Sequence, residues 1–142
     1  NVVGEVIGDG VAGSGAFASY ITKTYEAIIS SVTAEAESAT TGTGKIIFRM
    51  PYAMTLTAVR ASVATAPTGS KLKVDINESG STILSTKLTI DTSEETSTTA
   101  SVPAVISDSA LGDDNEITID IDQVGSGTAG AGLKVYLLGY RT

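Results

Sequence analysis

Asp108, Asp113, Asp114, Asn115, Asp120 and Asp122 crowd one stretch of the 142-residue chain, and they are the side chains with the most evident chemistry. Calcium takes about six to eight oxygen ligands and is often held by acidic loops. Asp108, Asp113 and Asp114 are therefore the calcium candidates. The spacing is not that of an EF-hand, which needs a Gly and a bidentate Glu at set positions of its loop. Asp120 and Asp122 also fall on the outer face of an expected strand, apart from the 113–115 tip. A solvated acidic loop accounts for the same residues without a metal.

Gly125-Ser126-Gly127-Thr128-Ala129-Gly130 spells G-x-G-x-x-G after a strand-like run. A dinucleotide fingerprint needs a helix directly after it, whose N-terminus holds the pyrophosphate. Leu133-Lys134-Val135-Tyr136-Leu137 follows instead, which reads as a strand, and no Lys-Ser or Lys-Thr follows the glycines as in a P-loop. The motif is expected to be a tight link between the last two strands, and no cofactor is implied. Asn77-Glu78-Ser79 forms a glycosylation sequon at an expected hairpin tip. Tyr20, Tyr25, Tyr52, Tyr136 and Tyr140 could stack on sugar rings, but they do not cluster in sequence.

Composition narrows the chemistry further. The chain has no Cys, His or Trp. Without Cys there are no disulfides, thiol nucleophiles or thiolate metal sites. Without His the usual general base and the Ser-His triad are missing. No catalytic residue is nominated, and the expectation is a protein that is not an enzyme. A carboxylate-pair glycosidase built from the 108–122 region would need a cleft that so small a domain hardly offers. The net charge of −7 opposes nucleic-acid binding. No apolar run approaches the ~20 residues of a membrane-spanning helix, and the opening residues are not a signal peptide. The chain starts at Asn1, as a processed product or a fragment would.

Charge is divided along the chain. Residues 45–87 hold six bases against Asp75 and Glu78, whereas 91–122 hold nine acids and no base. Pairing across neighbouring strands explains this division; complementary patches between subunits would explain it equally.

The elements that must carry these residues are strands. Lys71-Leu72-Lys73-Val74-Asp75-Ile76-Asn77 and Glu116-Ile117-Thr118-Ile119-Asp120-Ile121-Asp122 alternate polar and apolar, placing each apolar set on one face. Strands are predicted at 45–50, 55–63, 71–77, 82–90, 96–102, 116–122 and 132–140, with Gly, Asn, Asp or Pro between them. Short alternating strands at this spacing predict a mainly β domain, an antiparallel β-sandwich or jelly roll. Its core should rest on Leu72, Val74, Ile76, Leu84, Leu88 and Ile90, with Ile117, Ile119 and Ile121 meeting Leu133, Val135 and Leu137.

Two units are expected: 1–43 as an attachment and oligomerisation segment, and 44–142 as the sandwich. Residues 1–18 carry five glycines among small apolar residues, the composition of an extended arm. Over 19–39, Ile21, Tyr25, Ile28 and Val32 follow heptad spacing and predict a short helix, with a strand or extended arm as the alternative. Ile at both a and d positions favours three or more chains, so these four residues are the candidate trimer contacts.

Phe48-Arg49-Met50-Pro51-Tyr52-Ala53-Met54-Thr55-Leu56, then Val59-Arg60-Ala61-Ser62-Val63, Leu72-Lys73-Val74-Asp75-Ile76-Asn77, Ile83-Leu84-Ser85-Thr86 and the stretch from Ile117 through Gly125 into Gly132-Leu133-Lys134-Val135 form a further pattern. Together they resemble a β-sandwich domain of tailed-bacteriophage virion surface proteins, of the fibre-like or capsid-decoration type. The resemblance covers about residues 45–140 and carries no catalytic motif. It implies a virion structural protein on the particle surface, with other capsid or tail proteins as partners. Joined to the heptad reading, it leads to an expected homotrimer, either capsid decoration or a fibre head. The alternative is a carbohydrate-binding module that recognises host surface glycans through loops such as 64–70 or 108–115.

Overall fold

A computed structural model describes residues 23–142. The described chain contains β1 (Tyr25–Ser31), β2 (Gly42–Arg49), β3 (Met54–Ser62), β4 (Leu72–Glu78), β5 (Ser81–Thr82), β6 (Leu84–Thr86), β7 (Leu88–Ile90), β8 (Val105–Ile106), β9 (Ala110–Leu111), β10 (Glu116–Gln123) and β11 (Lys134–Arg141). One 3-10 turn, Ser97–Thr99, lies between β7 and β8.

One sheet has the order β1-β11-β3-β9; the other has β2-β10-β4-β5, with β7 also on β4. Every pairing is antiparallel. If β5–β7 count as one broken strand and β8 is set aside, the chain builds two four-stranded sheets by repeated crossing. That is the jelly-roll form of the β-sandwich. The mainly β, antiparallel fold read from the sequence is therefore the fold adopted.

The core forms where period-two faces of both sheets meet. Ile117, Ile119 and Ile121 of β10 and Leu133, Val135 and Leu137 at β11 are at most 1% exposed. They belong to opposite sheets and face one common core, which also takes Leu72, Val74, Ile76, Leu84, Leu88 and Ile90. Each such aliphatic side chain contributes about 1.5–3 kcal/mol on burial.

The expected helix over 19–39 is not formed in its described part. Tyr25–Ser31 is a strand, paired residue for residue with β11 from Tyr25↔Tyr140 to Ser31↔Lys134. A Thr-, Ser- and Ile-rich segment has little intrinsic helix preference, while β-branched residues fit a pleated edge. The heptad stripe consequently divides. Tyr25 points outward and is 67% exposed, whereas Ile28 and, just beyond the strand, Val32 pack against the core. Ile21 lies outside the described residues, as does the glycine-rich arm. Residues 25–43 are integral to the sandwich: Thr33 Oγ1 accepts from Leu133 N at 2.8 Å, and Ala39 N donates to Gly130 O at 2.8 Å.

Two other strand expectations change. Residues 96–102 hold the 3-10 turn, capped by the Thr96 side chain, which accepts from Thr98 N. That turn buries no residue, so it lacks the apolar face that would hold a strand to the core. The run 82–90 breaks into β5, β6 and β7, with β6 pairing β8 rather than β4.

Candidate interaction surface

The acidic residues are dispersed. Asp108 Oδ1 accepts from Ala110 N at 3.2 Å within its own loop. Asp114 sits at φ 62°, and its carbonyl accepts from Arg49 Nη1 at 2.9 Å. Asp120 accepts from Gly44 N at 2.7 Å and Asn77 Nδ2 at 3.0 Å. Asp122 lies 3.6 Å from Lys87 Nζ. Among the described residues no three carboxylates converge as a metal site, so Asp108, Asp113 and Asp114 are not brought together. Opposite charges do pair between strands and loops, as in Lys71–Asp91 and Lys87–Asp122. Asn77 of the sequon is half-buried on β4, its amide engaged by Asp120 rather than presented at a hairpin tip.

The G-x-G-x-x-G loop is a clasp. Thr68 N donates to Thr128 O at 2.9 Å, Gly127 N to Thr68 O at 2.9 Å, and Thr128 N to Thr68 Oγ1 at 2.7 Å. A Cβ on Gly125 would lie 1.9 Å from Thr128 O. The glycines thus allow two loops to lie backbone to backbone.

What distinguishes this molecule is the difference between its two outer faces. Outward from β2, β10 and β4 point Lys45, Arg49, Glu116, Asp120, Asp122 and Lys73, with Ile47 as the exposed apolar residue. Most of these charges meet neutral partners, as Lys45 meets Thr40 Oγ1 and Arg49 the Asp114 carbonyl, while Asp122 pairs with Lys87. Outward from the other sheet point Tyr25, Ala27, Ile29 and Ser31 of β1, then Lys134, Tyr136, Leu138 and Tyr140 of β11, then Thr55, Ala58, Arg60 and Ser62 of β3, so that the apolar and aromatic side chains hold the middle and the β1 side. The register aligns them in rows: Tyr25 beside Tyr140, Ala27 beside Leu138 and Ala58, Ile29 beside Tyr136 and Arg60. Ile29 is 58% exposed. An antiparallel sandwich sheet ordinarily turns a polar face to water; a contiguous apolar one marks a contact surface.

Cations frame this face. Lys23 Nζ lies 4.8 Å from the Tyr140 ring centroid, and the Tyr25 and Tyr140 rings meet edge-on at 5.7 Å. On the inner side of the same end, Arg141 stacks 4.0 Å from the Tyr52 centroid and reaches Glu26 at 3.4 Å. The Tyr52 hydroxyl donates to Glu26 Oε1 at 2.6 Å. That hydrogen bond, aided by burial and the Glu26 charge, raises the Tyr52 pKa against the opposing pull of Arg141. Tyrosines far apart in sequence thus gather at one end of the sheet.

At the β1 margin the sandwich gapes: Ile28, Val32, Ile46 and Phe48 pack against the core yet remain only partly buried. At the β3 margin the face runs into a groove of about 470 Å³, lined by residues 57–60 of β3, Ser97, Thr98 and 103–106. Val102 and Val105 nearby are 52% and 50% exposed.

No family model, curated protein or solved structure matches the chain.

The sequence signal for this face was present in the wrong form to be read as a site. In Val135-Tyr136-Leu137-Leu138-Gly139-Tyr140, both alternating sets are apolar or aromatic, which is the mark of a strand covered on both faces.

Proposed function

We propose that the chain is a structural protein of a tailed-bacteriophage virion, a homotrimeric capsid-decoration or fibre-head subunit exposed on the particle. The observation that carries the reading is the contrast between its outer faces, one bearing charges of both signs, the other centred on Tyr25, Ile29, Tyr136, Leu138 and Tyr140 with Lys23 and Arg60 at its margins. A stiff sandwich with one such face is suited to solvent on one side and attachment on the other. The resemblance over 45–140 supplies the setting. Jelly rolls also build viral capsid and lectin domains, a fold-level analogy that does not by itself decide function.

The trimer rests on a different footing from the heptad reading, because Tyr25, Ile28 and Val32 lie on or beside a strand and no longer form one stripe. A face that docks on a different surface of the next copy makes a head-to-tail contact, which closes into a ring when the rotation between copies closes and otherwise runs on as a filament. Three is the smallest ring above a dimer. Repeated weak contacts on a particle then add up to firm attachment.

The test is a pair of substitutions on the exposed face, Tyr25→Glu with Ile29→Glu. Both side chains are more than half exposed, so the loss of stability should stay at about 1 kcal/mol, from the cross-strand pairs with Tyr140 and Tyr136. The variant is expected to sediment as a monomer and to stop decorating particles stripped of their surface protein. Unchanged assembly and unchanged decoration would remove the face from function.

One observation favours a second reading. Tyr25, Tyr136 and Tyr140 share the face, an arrangement on which sugar rings can stack. Glycan-array binding lost on Tyr136→Ala and Tyr140→Ala, with oligomer mass unchanged, would move the assignment to a carbohydrate-binding module.

A further inference from the structure

We propose that the groove at the β3 margin is a binding site for an acidic sugar, one whose ring carries a carboxylate beside its hydroxyls, and that Arg60 reads the carboxylate. The site makes no use of Tyr25 or Ile29, so its test is separate from that of the assembly reading above.

The groove has two sides of different character. Toward the core it is closed by Val59 and Leu88, which are buried, and by Ala104 and Ile106, which pack against the core in part. Toward solvent it opens between Thr57, Ala58 and Arg60 on β3 and Pro103 and Val105 opposite, with Ser97 and Thr98 also in the lining. Thr57, Arg60, Pro103 and Val105 are all exposed. Its volume of about 470 Å³ falls within the ~300–1,000 Å³ of small-molecule sites. A lining that is largely apolar, with a few fixed polar groups, is also their usual make-up.

The polar groups are held before any ligand arrives. Ser97 Oγ accepts from Ala61 N at 2.9 Å, which leaves its hydroxyl proton to donate. Thr57 Oγ1 donates to Leu138 O at 3.3 Å, which leaves its lone pairs to accept. Thr98 Oγ1 lies 3.0 Å from Thr96 Oγ1. Arg60 is fixed on β3 by the β11 ladder, directly across from Tyr136. It is the one charged side chain of the lining, a cation in a chain of net charge −7.

This lining selects among ligand classes. A wholly apolar ligand would strip water from the hydroxyls and the guanidinium and give them no partner, which is costly. A nucleic acid or polyphosphate asks for several cations, and the groove offers one. A peptide would add to β3 as a strand. The β3 amides of Leu56, Ala61 and Val63 are already engaged, by Ser109 O, Ser97 Oγ and Glu95 O. A sugar acid matches what remains. Its C–H faces suit Ala58, Pro103 and Val105, and its hydroxyls suit Ser97 and Thr57. Its planar carboxylate fits the guanidinium fork through two parallel hydrogen bonds.

The test is an NMR titration of the isotope-labelled full chain with four probes. Sialyllactose is compared with lactose, and cellobiouronic acid with cellobiose, so that each single-carboxylate sugar stands beside its neutral parent. For one of the acids we expect saturable shifts in the amides of 57–60 and 97–106, with a Kd on the order of 1 mM or tighter. Its neutral parent should bind at least tenfold more weakly. Which acid binds tells a sialic from a uronic source. Arg60→Gln should bring the acid down to the affinity of its parent. Arg60→Lys, which keeps the charge and loses the fork, should recover part of the difference. Arg60 is exposed, so both variants should keep the dispersed amide spectrum of the parent chain. Tyr25→Ala with Tyr140→Ala should leave the titration unchanged. Equal affinity for acid and neutral parent would overturn the proposal, as would an acid that binds Arg60→Gln undiminished. Shifts confined to the Tyr25, Tyr136 and Tyr140 face would overturn it by moving the sugar there. The absence of saturable shifts with all four probes would overturn it outright.

Discussion

At the scale of single residues, Asp75 shows what alternation conceals. It points outward from β4 in the sequence pattern, yet it is 5% exposed because the segment from Ser81 to Lys87 folds across it. Thr82 Oγ1 donates to Asp75 Oδ1 at 2.5 Å, Ile76 N donates to the same oxygen at 2.9 Å, and Lys87 pairs with Oδ2. Burial lowers the Lys87 pKa, but the hydrogen bond and charge of Asp75, with Asp122 behind, outweigh it, and the net shift is upward from 10.5. A raised lysine pKa contributes stability that is complete below the unfolded value and is lost as pH rises through the folded one. Lys87→Met is expected to cost about 1–2 kcal/mol at neutral pH in urea titration. That is less than a fully buried pair, since the Lys87 side chain keeps 37% exposure. The difference between parent and variant should shrink above about pH 10. Tyr52, also raised, shifts both proteins alike and cancels in that comparison. Gly139 is a second such position. A Cβ there would lie 2.0 Å from Thr55 O, where the β3–β11 register shifts between Leu138 and Gly139. Gly139→Ala should lower stability by about 3 kcal/mol, seen as an earlier denaturation midpoint with an unchanged slope.

At the scale of elements, β1 carries the main lesson. Of the four candidate contacts Tyr25 and Ile28 lie in it, and their spacing of three makes one stripe on a helix but opposite faces on a strand. Pairing with β11 decides it, because seven residues gain a ladder partner and Ile28 gains core contact. The consequence is testable by truncation. Residues 23–142 should still unfold in one cooperative urea transition. Residues 40–142 lack β1 and the Thr33–Leu133 and Ala39–Gly130 ties, and should lose cooperative unfolding altogether. A cooperative transition for 40–142 would show β1 to be an ornament of the sheet. The edge strands differ in their protection. β2 carries Lys45 and Arg49 outward, while the outward residues of β1 are Tyr25, Ala27, Ile29 and Ser31. Charges on an edge discourage pairing with other chains; β1 is the edge left open to it.

At the scale of the whole molecule, the two arrangements proposed for charge separate by salt. If the acidic 91–122 region and the basic 45–87 region met across subunits, raising salt from about 0.15 M to 1 M would shorten the screening length from about 8 Å to 3 Å and weaken assembly. Those charges already pair within the chain, through Lys71–Asp91 and Lys87–Asp122. Contact through the Tyr25, Ile29 and Leu138 face should therefore keep its oligomer mass at 1 M sodium chloride, by light scattering. Dissociation in salt would return the interface to the charged patches.

The sequence by itself determined the β class, the alternating core of β4 and β10 and the main turns, because local alternation and turn chemistry express themselves within a few residues. It also carried, unread, the doubly apolar run of β11 and the adjacent pairs Ile28-Ile29 and Ile46-Ile47, where one residue must face the core and its neighbour must face out. Only the tertiary structure decided that 25–31 is a strand, that Asp75 is covered, that Asp108, Asp113 and Asp114 stand apart, and that Tyr25, Ile29, Tyr136, Leu138 and Tyr140 form one surface. Each of those facts depends on which strands lie side by side. Such pairings join residues more than a hundred positions apart, as Tyr25 and Tyr140 are, and a pattern with a period of two gives the face a residue occupies without naming its neighbour.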